Sequence, residues 1–133
     1  MFIDRLLNQG NAPLIEQMLK FTAARHKLIA ENIVNLSTPG YQQKDLNLEK
    51  FQEALRDRVS NRQFSGPGNV RFDDLSGELE NPSSGMLFHD GSNRSAEQLM
   101  SDEAKNAMMH NLAVELLRKQ FESLESALKE RVS

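Results

Sequence analysis

Ala30-Glu31-Asn32-Ile33-Val34-Asn35-Leu36-Ser37-Thr38-Pro39-Gly40-Tyr41 decides how this chain is read. The stretch begins as an apolar helical pattern, places Asn32 and Asn35 three residues apart, then stops at Thr-Pro-Gly-Tyr. Pro39 pushes Thr38 toward extended backbone, and Pro39-Gly40 suits the two central positions of a type II turn. An ordinary surface helix ends on any Gly. This ending is more specific, and it marks a fixed exit from a long helix.

Upstream of the stop, two rows recur at alternating steps of four and three. One is Leu14, Met18, Phe21, Arg25, Leu28, Asn32 and Asn35, and the other is Ile15, Leu19, Thr22, His26, Ile29, Ile33 and Leu36. Together they make a wide apolar stripe at near-heptad spacing. With Asn11 as N-cap and Pro13 tolerated in the first turn, the pattern predicts a core helix over 11–36, about 39 Å long.

Downstream, Leu48, Phe51, Leu55 and Val59 mark one face of a shorter helix within 37–59, capped by Asn47 or Asp45. Residues 60–95 are rich in Gly, Pro, Asn and Ser, which break regular structure. Val70-Arg71-Phe72 and Met86-Leu87-Phe88-His89 read there as a small strand pair. From 96 to 131 a second core helix carries Ala96, Met100, Glu103, Ala107, His110, Val114, Leu117, Phe121, Leu124 and Leu128 on one four-three row, the last five being large and apolar. The expected fold is all-α. The long N- and C-terminal helices pack as an antiparallel hairpin or coiled coil around a loop-rich middle with a short β-hairpin, and 1–133 forms a single domain.

Composition narrows the function. The 133 residues carry 16 basic and 19 acidic side chains, interleaved, for a formal charge of −3. No basic block offers a phosphate-tracking surface, so nucleic acid is not an expected partner. The absence of Cys removes disulfides, thiolate metal sites and Cys nucleophiles together. No apolar run approaches the roughly 20 residues that span a bilayer, and direct lipid binding is not expected. Met1-Phe2-Ile3-Asp4-Arg5-Leu6-Leu7 lacks the basic start and continuous apolar core of a cleaved signal peptide. With 6 % aromatic residues and no Trp, a self-sufficient core is thin, and the helices are expected to complete their burial against neighbouring subunits.

The candidate chemistry does not assemble into a site. His26, His89 and His110 belong to no His-x-x-x-His or His-Glu-x-x-His pattern, and read as helix-face or loop histidines. Asp73-Asp74 with Glu78 and Glu80 lacks the ligand order and the sixth-position Gly of a calcium loop. Gly66-Pro67-Gly68 lacks the Lys-Ser/Thr of a phosphate loop and reads as a turn. No nucleophile-elbow pattern occurs. No catalytic residue, metal or cofactor is expected, and the presence of titratable residues is the only support for an enzyme. Asn32 and Asn35 keep two readings: register-setting amides in a buried seam, or local bonds to the turn backbone at the helix end.

Arg25 followed by Ala30-x-Asn32-Ile33-x-Asn35-x-x-Thr38-Pro39-Gly40-Tyr41 resembles the N-terminal signature of the bacterial flagellar axial proteins, which build the rod, hook and hook junctions. Asp90-Gly91-Ser92-Asn93, then Glu97, Met100 and Asn106 ahead of the long amphipathic helix, is similar to the proximal-rod members. The short middle leaves no room for the large inserted domain of hook and distal-rod relatives. The family pattern usually has an apolar residue where this chain has Arg94, an acidic one at Leu99 and an aromatic one at His110.

The resemblance implies a structural subunit of the proximal rod, exported without a cleaved signal through the flagellar type III apparatus and assembled helically in the basal body. Its implied partners are other rod proteins, the rod-base adapter, the membrane ring, the export gate and further copies of itself. It marks Arg25, Asn32, Asn35, Thr38, Pro39, Gly40, Tyr41, Gly91, Asn93, Glu97, Met100 and Asn106 as motif positions. The seam residues Val114, Leu117, Phe121, Leu124 and Leu128 are the matching interface candidates. The competing reading is a helical binding module such as an export chaperone or adapter, which shares the acidic balance and the seams but gains nothing from Thr38-Pro39-Gly40-Tyr41.

Overall fold

A computed structural model describes residues 12–65, 87–89 and 94–132. The elements are α1 (Ala12–Val34), β1 (Lys44–Leu46), α2 (Leu48–Ser65), β2 (Leu87–His89) and α3 (Ala96–Val132). Helix α1 packs antiparallel along α3. Thr22 meets Asn106 and His110, while His26, one turn further on, meets Glu103. The all-α hairpin is therefore the observed architecture, with one small sheet added at its side.

The two rows of α1 serve two neighbours. Phe21 and Leu28 from the first row join Leu46 and Phe51 in the buried core, with Leu14, Ala24, Leu48, Ala54 and Leu55 packed around them. The Phe51 ring stacks on Phe21 at 4.3 Å between centroids. The second row turns toward α3 through Thr22 and His26, and its Ile15 and Ile29 are buried. A stripe this wide follows from covering two partners rather than one.

Helix ends carry the expected chemistry, with shifted boundaries. Helix α1 stops at Val34, before Leu36, because the Asn35 side chain donates to the Glu31 carbonyl and accepts from the Thr38 hydroxyl. Asn47 caps α2, its Oδ1 accepting from the Lys50 amide. Asp45, the other cap candidate, is engaged elsewhere. Helix α2 runs on to Ser65, six residues into the segment read as loop. At the start of α3, Ser95 and Gln98 exchange side-chain-to-backbone bonds in a reciprocal capping box.

The strand pairing adds to the sequence reading. Leu87–His89 is a strand as expected, and its partner among the described residues is Lys44–Leu46, antiparallel, with Asp45 opposite Phe88. This is a long-range pair enclosing α2. Three residues per strand carry too little periodicity to be seen in sequence. Asn11, Val70–Phe72, Gly66–Gly68, the acidic residues 73–80, Gly91 and Asn93 lie outside the described residues.

Candidate functional site

The helix stop is closed by side chains acting as backbone. Gly40 has φ +75°, and the Tyr41 amide donates to the Thr38 carbonyl at 3.3 Å, so Thr38–Tyr41 is the type II turn that Pro39-Gly40 predicts. The chain then returns alongside α1, where Asn32 holds it. Its Nδ2 donates to the Lys44 carbonyl at 2.7 Å and its Oδ1 accepts from the Lys44 amide at 3.0 Å. The Tyr41 hydroxyl adds a bond to the same Oδ1. Burial together with the Glu31 charge raises the Tyr41 pKa above its ordinary value, which keeps the hydroxyl a donor. Asn35 thus uses its amide at the helix end itself, whereas buried Asn32 reaches twelve residues on to Lys44 in β1.

Gln43 repeats the device one residue earlier. Its Nε2 donates to the Arg94 carbonyl and its Oε1 accepts from the Arg94 amide, both at 2.9 Å. Two carboxamides therefore fasten α1 to the returning chain and the returning chain to the root of α3.

A charged clasp reinforces the same junction. Arg25 reaches Asp45 with Nε and Nη2 at 3.0 and 3.2 Å, and Arg94 reaches the same carboxylate at 2.8 Å and Asp102 at 3.1 Å. The Asp45 side chain is 5 % exposed. Burial pushes its pKa up, but the hydrogen bonds from Arg25 and Arg94, the Arg25 charge and the Leu46 amide outweigh it, and the net shift is downward. A buried carboxylate of this kind is tolerable only because it is paired on every side. Sequence reading missed the clasp, since Asp45 and Arg94 are far apart in the chain. The available signal was chemical: Arg25 sits on an apolar row, and a cation there needs a carboxylate.

Along α3 the buried row is displaced from the one expected. Leu99, Asn106 and Ala113 are buried, at seven-residue spacing, while Met100, Glu97 and Ala107 are exposed. Asn106 donates to the Thr22 carbonyl at 2.8 Å. His110 places Nδ1 2.7 Å from the Thr22 hydroxyl. A row chosen by apolar character prefers Met100 and Val114 over Leu99 and Ala113. Close approach of two helices instead favours the small Ala113 and the hydrogen-bonding Asn106 at the contact line.

Beside this line, Thr22, Ala23, His26, Glu103, Asn106 and Ala107 line a cleft of about 370 Å³. His26 and Glu103 bond to each other there, and the Thr22 hydroxyl lies within hydrogen-bond distance of the Met18 and Leu19 carbonyls and of His110 Nδ1. Among the described residues no group of three or more His, Cys, Asp or Glu is placed to hold a metal ion, and no described helix is long and apolar enough to cross a membrane.

The C-terminal half of α3 outruns its partner. Helix α1 has 23 residues and α3 has 37. With both helices rising equally per residue, Ala12 lies opposite about residue 118, leaving an overhang of roughly 20 Å. The predicted seam continues along it past the last described residue of α1. Phe121 is 50 % and Leu128 39 % exposed, while Val114, Leu117 and Leu124 are half-buried.

Comparison with known proteins follows the same lines. The chain is 24 % identical over 138 residues to the flagellar basal body rod protein FlgB of Buchnera aphidicola subsp. Baizongia pistaciae, a match covering 96 % of this chain and 98 % of that protein. It is 25 % identical over 126 residues to the flagellar basal body rod protein FlgB of Bacillus subtilis, covering 92 % and 95 %. No family model and no solved structure matches.

Proposed function

We propose that this chain is a structural subunit of the bacterial flagellar rod, in its proximal part, and carries no catalytic activity. Support comes first from the two rod-protein relatives, each matched almost from end to end at low identity. The observation that carries the reading is the part-exposed seam on α3 beyond the described end of α1, because a helix that continues an intramolecular packing row past its described partner is suited to an intermolecular one. In this reading residues 1–133 act as one rod domain, and Val114, Leu117, Phe121, Leu124 and Leu128 meet neighbouring subunits. The turn at Thr38-Pro39-Gly40-Tyr41 fixes where the inner helix α1 stops and folds the returning chain back along it.

The same reading places the protein in the basal body, exported unfolded through the type III apparatus without a cleaved signal. There it contacts other rod proteins, the rod-base adapter, the membrane ring and the export gate. Deleting the gene tests it. The expected result is loss of motility with the membrane ring still assembled, and a motile deletion strain ends the rod reading. Light scattering on the purified protein separates it from a chaperone, which forms a closed, stable dimer where a rod subunit is monomeric or polymerises.

A further inference from the structure

Helix α3 carries a second apolar surface that the hairpin does not use. Met100, Met108 and Leu112 are 60, 72 and 57 % exposed, and with exposed Ala104 they form a ridge at four-residue spacing. Two residues turn a helix by about 200°, so Met108 lies on the side opposite buried Asn106 and faces away from α1. The same spacing continues to Leu116, 40 % exposed, beside the Glu115–Arg118 ion pair. The overhang seam of Phe121, Leu124 and Leu128 points the other way, in line with the row that packs on α1.

We propose that these two surfaces are each other's partner in successive copies of this chain: the ridge of one α3 packs into the overhang seam of the next. This rests on the self-association proposed above and adds which faces meet. Three observations select a second copy. The seam continues an established helix-packing row, so its occupant is a helix with an apolar ridge, and the ridge on α3 is one. Lys105 flanks the ridge and Glu125 flanks the seam, giving opposite charges at the two margins. Glu125 already bridges Lys129 on the exposed surface at 3.0 Å, a contact open enough to be shared. Finally, the two surfaces face opposite ways and are displaced along the axis by about 24 Å, from Met108 to Leu124. Pairing them uses both at once and is heterologous, so it propagates an open array instead of closing a dimer.

The absence of Cys permits a clean test on the full chain. Met108→Cys and Leu124→Cys in one chain sit about 24 Å apart on one helix, far beyond the roughly 7 Å limit for a disulfide, so they cannot bridge within a copy. Mild oxidation of the double variant is expected to give a ladder of dimers, trimers and larger species, at least tenfold more than a Gln52→Cys/Leu124→Cys control. Each single variant stays monomeric. Lys105→Glu is expected to suppress the ladder, and adding Glu125→Lys to restore it. Efficient dimers from Met108→Cys alone overturn the proposal in favour of ridge-on-ridge pairing. So does a Leu6→Cys/Leu124→Cys chain that closes at monomer mass, which makes the first residues of the same chain the occupant. A double variant no faster than its control overturns it as well. With a non-motile deletion strain, that last result discards the surface and keeps the rod reading; a ladder with a motile strain does the reverse.

Discussion

Asn32 binds the backbone of Lys44 at both its amide and its carbonyl, so one side chain acts as a single rung of β-sheet between α1 and the returning chain. Asn32 is 1 % exposed. Replacing it with Asp removes the donor to the Lys44 carbonyl and buries a charge facing it. Asn32→Asp is expected to destabilise by about 3 kcal/mol and Asn32→Ala by about 2 kcal/mol. Urea unfolding followed by circular dichroism checks both. An unfolding midpoint unchanged in Asn32→Asp removes the rung from the account of the junction.

Gly40 is required by its backbone, not by crowding. Its φ is +75°, and an added Cβ meets nothing within 4 Å. Gly40→Ala is therefore expected to cost about 1–2 kcal/mol, and Gly40→Asn less, since Asn tolerates the left-handed region better. If the turn directs assembly, Gly40→Ala also lowers motility in a complemented deletion strain while Gly40→Asn largely preserves it. Equal stability of the two variants contradicts the conformational explanation.

The displaced row on α3 gives a direct comparison between neighbours. Leu99 is fully buried and Met100 is 60 % exposed. Leu99→Ala is expected to cost about 2–5 kcal/mol, while Met100→Ser stays within about 0.5 kcal/mol in the monomer. Thermal unfolding of the two variants decides which residue lies on the hairpin contact line. A larger loss from Met100→Ser restores the row read from sequence.

What sequence made legible, and what it did not, divides by the range of the interaction. The helix stop was visible because Pro39 and Gly40 restrict φ and ψ locally, and the observed turn has the geometry they impose. The long helices were visible because their periodicity repeats over many turns. The exact contact line on α3 was not, since a helix with apolar residues on two faces supports more than one row. Nor was the β1–β2 pair or the Gln43–Arg94 bond, each joining residues more than 40 positions apart with no local pattern to announce them. Arg94, Leu99 and His110 take their places through contacts of this long-range kind. Arg94 takes the carboxylates of Asp45 and Asp102, Leu99 is buried, and His110 meets Thr22.

Acid should loosen the junction through Asp45. Its pKa is lowered in the folded chain, so the stabilisation is fully present above the unfolded value of about 3.9. It is lost as pH falls below that value and through the folded pKa. The expected outcome is a stability that declines below about pH 4, with a shallower decline in Asp45→Asn, measured by denaturant unfolding across pH. A variant that keeps the full acid dependence moves the origin to other carboxylates.

The last test separates the clasp's charge from its packing. Arg94→Leu leaves Asp45 with Arg25 alone and Asp102 without its Arg94 contact. Asp45→Asn leaves Arg25 and Arg94 facing a neutral amide. Removing one partner of a buried ion pair commonly costs about 3–5 kcal/mol, whereas replacing both is often much milder. Arg94 is 23 % exposed at its side chain, so water recovers part of the loss, and about 2 kcal/mol is the expected cost of Arg94→Leu. The double variant Asp45→Asn/Arg94→Leu is expected to lose at least 1 kcal/mol less than the two singles added together. Strict additivity in that cycle shows that Asp45 and Arg94 are not coupled, and leaves the Gln43 bond to hold the root of α3.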